Sequence, residues 1–431
     1  MAAPHLPQLC KRVDELRGEL VRILSDLIRI PTLNIAPRGE EKKGQEYLAA
    51  AFAKLGLQPD LYDISTVPAL AKHPLRTPLH EIEDRWNLSA VLKGKGGGRS
   101  LILNGHMDTV PPNPSPWKRD PFDPVEENGR LYGLGSMDMK ASLAAMYLLA
   151  RVLLESEARL KGDLIFESVC DEEDGGVHGT LAQRLRGYRA DGALVLEPSS
   201  LSIYNAHRGG IFPGIFLKEP PAGIQLDREV LPQFPKMLQV FLQELDELSK
   251  VRNTTVPVPG EYRHYQQPLP VWVCKVVTGL WSKAVPVSIA SEAKIELYLQ
   301  TVPGEPSHLV LDQFRSWLEM LQKKYPQLFP GPISWTPTLR QMEASSVSPD
   351  HGLIKTLAKS IEQQTRGSVK IQGSPAPCDM FVFNNHFDIP CVWFGPTGAN
   401  AHAPDEYVEI ESILNCVKCL LHFVGNWCEW A

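Results

Sequence analysis

The sequence predicts an α/β protein: a layered domain with a mixed, mostly parallel sheet and helices on both faces, interrupted by an inserted α+β domain. Three observations carry this. From Asp138 onward, helical and strand-like apolar patterns alternate, as they do when helices cover a sheet. Near Gly209 the pattern gives way to a proline-rich stretch that lasts to about residue 340. From Pro349 the alternation resumes. The expected boundaries are 1–209 and 341–431 for the two parts of the layered domain, and 210–340 for the insert.

Taken in order, Val13 to Ile30 places Leu16, Leu20, Ile23, Leu24, Leu27 and Ile28 on one helical face, and Pro31 stops it. Lys43 to Leu55 reads as a second helix. Leu88 to Leu92 and Ser100 to Leu103 read as short strands. The glycine-rich Lys93 to Arg99 between them lacks the Walker pattern, so a hairpin turn is expected. Next come a helix (Met139 to Leu154), a strand (Asp163 to Val169), a helix (Val177 to Leu185) and a strand (Gly192 to Leu196). The insert shows a helix (Leu231 to Leu248), strand-like runs (Val271 to Val277, Ile289 to Leu299) and a helix (Leu309 to Lys324). The last part offers a helix (Leu353 to Gln364), a strand (Pro390 to Phe394) and a helix (Ile410 to Trp427).

Composition narrows the class. Of 431 residues, 43% are hydrophobic and 22% charged, which excludes a disordered or fibrous chain. The net charge of -6 and pI near 6.1 argue against nucleic-acid binding. The first residues lack the basic start and apolar core of a secretory signal, and no apolar run is long enough to span a membrane. The eight cysteines are scattered, so free thiols and a cytoplasmic location are expected. Cys416 and Cys419, with His422, lie in an apolar helical run and read as core packing. The sequons at Asn87 and Asn253 carry no weight without secretion.

The chemistry sits at strand ends. Leu101–Asn104 runs into Gly105-His106-Met107-Asp108, and residues i and i+2 of a strand share a face. His106 and Asp108 thus fall at a carboxyl end, where open α/β sheets place their ligand sites. Asp138 stands where a loop meets a helix. The strand ending at Val169 runs into Cys170-Asp171-Glu172-Glu173-Asp174, and that density of acids calls for a positive partner. Glu197 closes the next strand, and His402 lies in a loop after the last one. Mixed imidazole and carboxylate ligation suits zinc or a similar divalent ion, and five such residues suit two metals with a bridging carboxylate.

These motifs resemble the dizinc metallopeptidase and deacylase family of acetylornithine deacetylase, succinyl-diaminopimelate desuccinylase, carboxypeptidase G and aminoacylase. The matching segments are Gly105-His-Met-Asp-Thr-Val, Gly129 to Lys140, Asp171-Glu-Glu, Glu197-Pro and Ala401-His-Ala-Pro-Asp-Glu-Tyr. The resemblance implies a catalytic domain carrying an inserted lid. It also implies hydrolysis of an amide in an N-acyl amino acid or dipeptide-like molecule. By it, His106 and Glu197 would bind one Zn2+, Glu173 and His402 the other, and Asp138 would bridge them; Co2+ or Mn2+ could take their place. Asp108 would orient His106. Glu172 would be the general base toward a metal-bridging water. The expected partner is a small substrate with a carboxylate, bound by Arg208, Asn205 and His264. Dimeric members pair through the lid.

The insert departs from the family pattern. Where dimeric members carry a lid histidine that helps to hold the oxyanion, this chain has Gly223. His264 is the stand-in within the insert. The usual Asp-x-Arg before Pro-Gly-Glu is here Tyr298-Leu299-Gln300. Two other readings stay open: a metal-dependent lyase, cyclase or amide-forming enzyme with a remodelled lid, or a catalytically silent binding paralogue. Retention of Glu172 argues against the silent one.

Overall fold

The computed structural model describes residues 6–156, 158–175, 177–224, 232–279, 287–337 and 340–431, with the side chain of Gln341 left aside. It divides into two compact units. One comprises Met1–Ala206, Ser346–Ser374 and Cys378–Ala431; the other comprises His207–Ser345 with Pro375–Pro377.

The first unit is the expected layered α/β body. Its main sheet contains β1 (Asp60–Asp63), β2 (Trp86–Leu92), β3 (Leu101–His106), β4 (Leu164–Val169), β5 (Ala193–Val195), β6 (Ile203–His207) and β7 (Cys391–Trp393). Their spatial order is β6-β7-β5-β3-β4-β2-β1. The central strands β7, β5, β3 and β4 are mutually parallel, while β6, β2 and β1 run antiparallel to their neighbours. Strands buried on both faces read as continuous apolar runs, and these do. Leu101, Leu103, Leu164, Phe166 and Leu194 face one core. That core is shared with α1 (Leu6–Glu15), α2 (Arg17–Arg29), α3 (Lys42–Lys54), α4 (Ala141–Glu155), α6 (Gly352–Thr365) and α7 (Ile410–Val424). Ile102, Ile165, Ala193 and Val195 face the other way, against Cys378, Met380 and Phe383. On that side α5 (His178–Leu185) hydrogen-bonds to β2 through Gln183.

Two local expectations are corrected. The helix expected over 13–30 is two helices, because Leu16 leaves the helical region (ψ 10°) just before Gly18. The glycine-rich 93–99 segment is not a hairpin. β4 lies between β2 and β3, so the segment must pass over the chain entering β4. It is tied there by the Gly94 N–H to Asp163 Oδ1 (2.9 Å), Lys95 N–H to Leu160 O and Gly96 N–H to Lys161 O (both 2.8 Å). A Cβ on Gly94 would lie 2.2 Å from Lys161 O, and one on Gly98 2.3 Å from Cys428 O. Gly94 and Gly98 are there for close crossing of backbones.

The second unit is α+β. Strand Glu292–Thr301 pairs antiparallel with Gly209–Ile211 and Gly214–Lys218 along one edge and with Val271–Thr278 along the other. Its residues Ala293, Ile295, Leu297 and Leu299 alternate onto a core shared with helices Phe234–Thr255 and Ser307–Lys324. The helix expected from Leu231 begins at Phe234, and Leu231 lies outside the described residues. Among the described residues, no strand pairs with the free edge of Val271–Thr278, which exposes Trp272, Val273, Val276 and Val277. No helix of the described residues is long and apolar enough to cross a membrane.

Candidate metal centre

The four parallel strands end on the same edge of the sheet, and each end delivers part of one cluster. His106 is the last residue of β3. Glu172 and Glu173 follow β4, Glu197 follows β5, and His402 follows β7. Asp138 comes from the irregular turn before α4, where its backbone leaves the helical region (φ -117°, ψ 95°). That turn contains a cis peptide between Asp138 and Met139.

All six side chains meet. His106 Nε2 lies 3.1 Å from Asp138 Oδ1, 3.4 Å from Glu197 Oε1 and 3.9 Å from Glu172 Oε2. His402 Nε2 lies 3.3 Å from Asp138 Oδ2 and 2.9 Å from Glu173 Oε2. The two oxygens of Asp138 are thus divided between the two imidazoles. Ligand atoms of His106, Glu172 and Glu197, and again of His106, Asp138 and Glu173, fall within 4.8 Å of one another. His402 is half exposed, while the other five are mostly buried.

The donor set fits a cation. His106 Nδ1 is 2.8 Å from the carbonyl oxygen of Asp108, which can only accept, so Nδ1 carries the proton. Nε2 then turns toward carboxylates. A lone pair there repels them; a bound metal, or a second proton, does not. Burial works against charge on His106, yet Glu197, Asp138 and Glu172 hold its pKa well above the usual imidazole value. Hydrogen bonds to Asp138 and Glu173 push His402 up to about 11. Burial raises Glu172 well above the usual carboxylate range, and the charges of Glu197 and Asp379 add to this. Burial likewise raises Glu197 and Glu173. Carboxyls held together in this way need positive charge, which a bound metal would supply.

Asp108 acts differently from expectation. Its carboxylate is 3.7 Å from His106 Nδ1, and its main-chain carbonyl holds the ring instead. β3 ends at His106, so strand alternation no longer governs Asp108. Its carboxylate accepts the N–H groups of Glu172 and Glu173, each at 3.0 Å, and an amide N–H of Asn34 at 2.8 Å.

Several supports were not read from the sequence. Glu406 accepts the N–H groups of Gly135 (2.8 Å), Met137 (2.8 Å) and Asp138 (3.0 Å), fixing the loop that carries Asp138. Its place in Ala-Pro-Asp-Glu, four residues after His402, was the available signal. Asp379 is buried, and burial pushes its pKa up to about 7. Behind the cluster, Glu41, Arg85, Asp171, His80 and His178 form a buried ionic network. Its members come from three separate stretches of the chain, around residues 41, 80–85 and 171–178, and no local pattern links them.

The three residues expected on the substrate side are spread over both units. Asn205 is buried and donates to Val347 O at 2.9 Å. His264 is exposed, its ring against Tyr265 with centroids 4.0 Å apart. Arg208 is buried, donates from Nη1 to Gln300 Oε1 (2.6 Å), and stacks on Tyr265 at 4.5 Å. Its Nε and Nη2 have no partner among the described residues. Gly223 pairs with Ser288 in a short ribbon.

The sequence pattern of peptidase family M20/M25/M40 matches residues 102–426. The N-formyl-4-amino-5-aminomethyl-2-methylpyrimidine deformylase of Bacillus subtilis (strain 168) is 28% identical over 98% of this chain and 97% of that protein. Succinyl-diaminopimelate desuccinylase of Leptothrix cholodnii is 38% identical over 29% of this chain and 35% of that protein. In fold, the chain is similar to human carnosine dipeptidase 1 (TM-score 0.76, 15% identity, 98% of this chain and all of that one). It is also similar to the di-peptidase Dug1p from Saccharomyces cerevisiae (TM-score 0.78, 13% identity, 99% of both chains).

Proposed function

The chain belongs to peptidase family M20/M25/M40, a metal-dependent amidohydrolase family, and from that footing we propose a two-zinc deacylase that cleaves an N-acyl or N-formyl amide. One observation carries the reading: Asp138 offers one oxygen to His106 at 3.1 Å and the other to His402 at 3.3 Å, the disposition of a bridging carboxylate. His106 and Glu197 would hold one ion, and Glu173 and His402 the other. Two such ions, when bound, lower the pKa of a water and polarise an amide carbonyl.

The residues of the chain do the rest. Glu172 stands beside the cluster with its backbone fixed by Asp108. Its buried carboxyl has a raised proton affinity, which suits a group that takes a proton from attacking water and returns it to the leaving amine. Asp108 and Glu406 hold the loops of Glu172–Glu173 and Asp138. On the substrate side we assign Arg208, Asn205 and His264. The unpaired Nε and Nη2 of Arg208 are adjacent donors, a fork that matches a carboxylate in bidentate fashion. The exposed apolar edge strand Val271–Thr278 supports a homodimer through the insert.

The test combines metal analysis with two trial substrates. Protein purified without chelator should hold two zinc ions per chain. It should release formate from N-formyl-4-amino-5-aminomethyl-2-methylpyrimidine, the compound in the relative's name, or succinate from succinyl-diaminopimelate. Two metals with no amide hydrolysed would favour the non-hydrolytic alternative.

A further inference from the structure

His80 sits on the segment before β2, 91 residues from the turn that follows β4, yet it closes that turn from behind. Its Nδ1 is 2.6 Å from Asp171 Oδ1 and its Nε2 is 3.0 Å from Asp174 Oδ2. Asp171 and Asp174 flank Glu172 and Glu173 on either side. We propose that His80, held as an imidazolium between Asp171 and Asp174, is a positioning residue that fixes the turn carrying the general base Glu172 and the metal ligand Glu173. This rests on the roles given above to those two glutamates.

Hydrogen-bond bookkeeping requires the charge. Each ring nitrogen faces a carboxylate oxygen, which only accepts, so both must carry a proton. The neighbouring His178 has no such need: its Nε2 accepts the Thr77 N–H (3.1 Å), and only its Nδ1 faces a carboxylate, Asp171 Oδ2 at 2.6 Å. The groups facing His80 are Asp171, Asp174, the His178 ring at 6.2 Å and, across Asp171, the Arg85 guanidinium. Asp171 is also held by Arg85 (3.0 Å) and Asn34 (3.2 Å). Asp174 is partly exposed. When His80 loses a proton, the remaining one stays with Asp171, and the charge-assisted hydrogen bond from His80 Nε2 to Asp174 is lost. Asp171 itself sits at φ 62°, a left-handed conformation that a non-glycine residue keeps only when its surroundings hold it. Burial opposes the charge on His80, but the two carboxylates push its pKa up to about 9. The turn is therefore clamped at neutral pH and loosens in alkali.

Three readouts test this on the metal-loaded full chain. In protein labelled with 15N-histidine, both ring nitrogens of His80 should be protonated at pH 7 and titrate near pH 9; an unprotonated ring nitrogen at pH 7 overturns the proposal. In cobalt-loaded protein, the visible spectrum should change as pH rises through 9, and H80Q should lack this change while binding the same amount of cobalt. An identical pH response in H80Q, or loss of its metal, overturns it. With N-formyl-4-amino-5-aminomethyl-2-methylpyrimidine as probe, H80Q should lose tenfold or more in kcat with KM within threefold. D174N, altered at a partly exposed site, should move the alkaline limb of the kcat profile to lower pH. Wild-type kcat and limb in both variants would also refute the idea. Should the wild-type enzyme leave that compound intact, the substrate reading fails, while the histidine and cobalt spectra still decide the role of His80.

Discussion

Glu172 hangs from Asp108: the carboxylate of Asp108 accepts the Glu172 N–H at 3.0 Å, and the same oxygen takes the Glu173 N–H at 3.0 Å. A carboxylate expected to steer a histidine is instead the anchor of the loop that carries the proposed base Glu172 and the proposed metal ligand Glu173. Removing it leaves two buried N–H donors without an acceptor, at roughly 1–3 kcal/mol each. Asp108→Ala should lower kcat by more than tenfold with part of the metal retained. Asp108→Asn keeps one carbonyl acceptor and should be milder. Steady-state kinetics with metal analysis check the order of the two.

Glu172→Gln should keep both metals and lose turnover by about 10²–10⁴, the usual worth of a positioned acid–base group. Retained turnover would remove Glu172 from the mechanism. Elemental analysis beside a formate-release assay reads both quantities.

Glu406→Ala should weaken metal binding by about 10–100-fold, the typical effect of losing a group that orients a ligand. The reason is the loop of Asp138, whose N–H shares Glu406 with those of Gly135 and Met137. Competition with a chromophoric chelator measures the change.

Stability should fall in alkali. The pKa of His80 is raised by folding to about 9. Its contribution is therefore complete below the unfolded value of about 6.5 and is lost as pH rises through about 9. Thermal unfolding from pH 6 to 10 should show Tm falling as pH rises from about 6.5 through about 9, with a smaller fall in His80→Gln. Equal slopes in the two proteins would contradict this.

The exposed strand Val271–Thr278 makes the dimer testable. Light scattering should report twice the 48.0 kDa of one chain. A double change, Val273→Lys with Val277→Lys, should yield monomers, since lysine on an edge strand blocks edge-to-edge pairing. A wild-type monomer would rule this pairing out.

Apolar periodicity and residue spacing were enough to read the layered α/β class, the interruption by an α+β insert, and the strand-end histidines and acids. Apolar runs ending in His106, Glu172–Glu173, Glu197 and His402 are local signals, and parallel strands bring their carboxyl ends to one edge of the sheet for purely geometric reasons. Tertiary structure alone decided what lies between and behind them. The order of strands turned a supposed hairpin at 93–99 into a crossing, because β4, which begins only at Leu164, takes the place between β2 and β3. It also gave Asp108 to the backbone of Glu172 and Glu173, and set His80 between Asp171 and Asp174. Those partners are brought together only by the packed core, where a buried charge must find an opposite one wherever the chain happens to supply it.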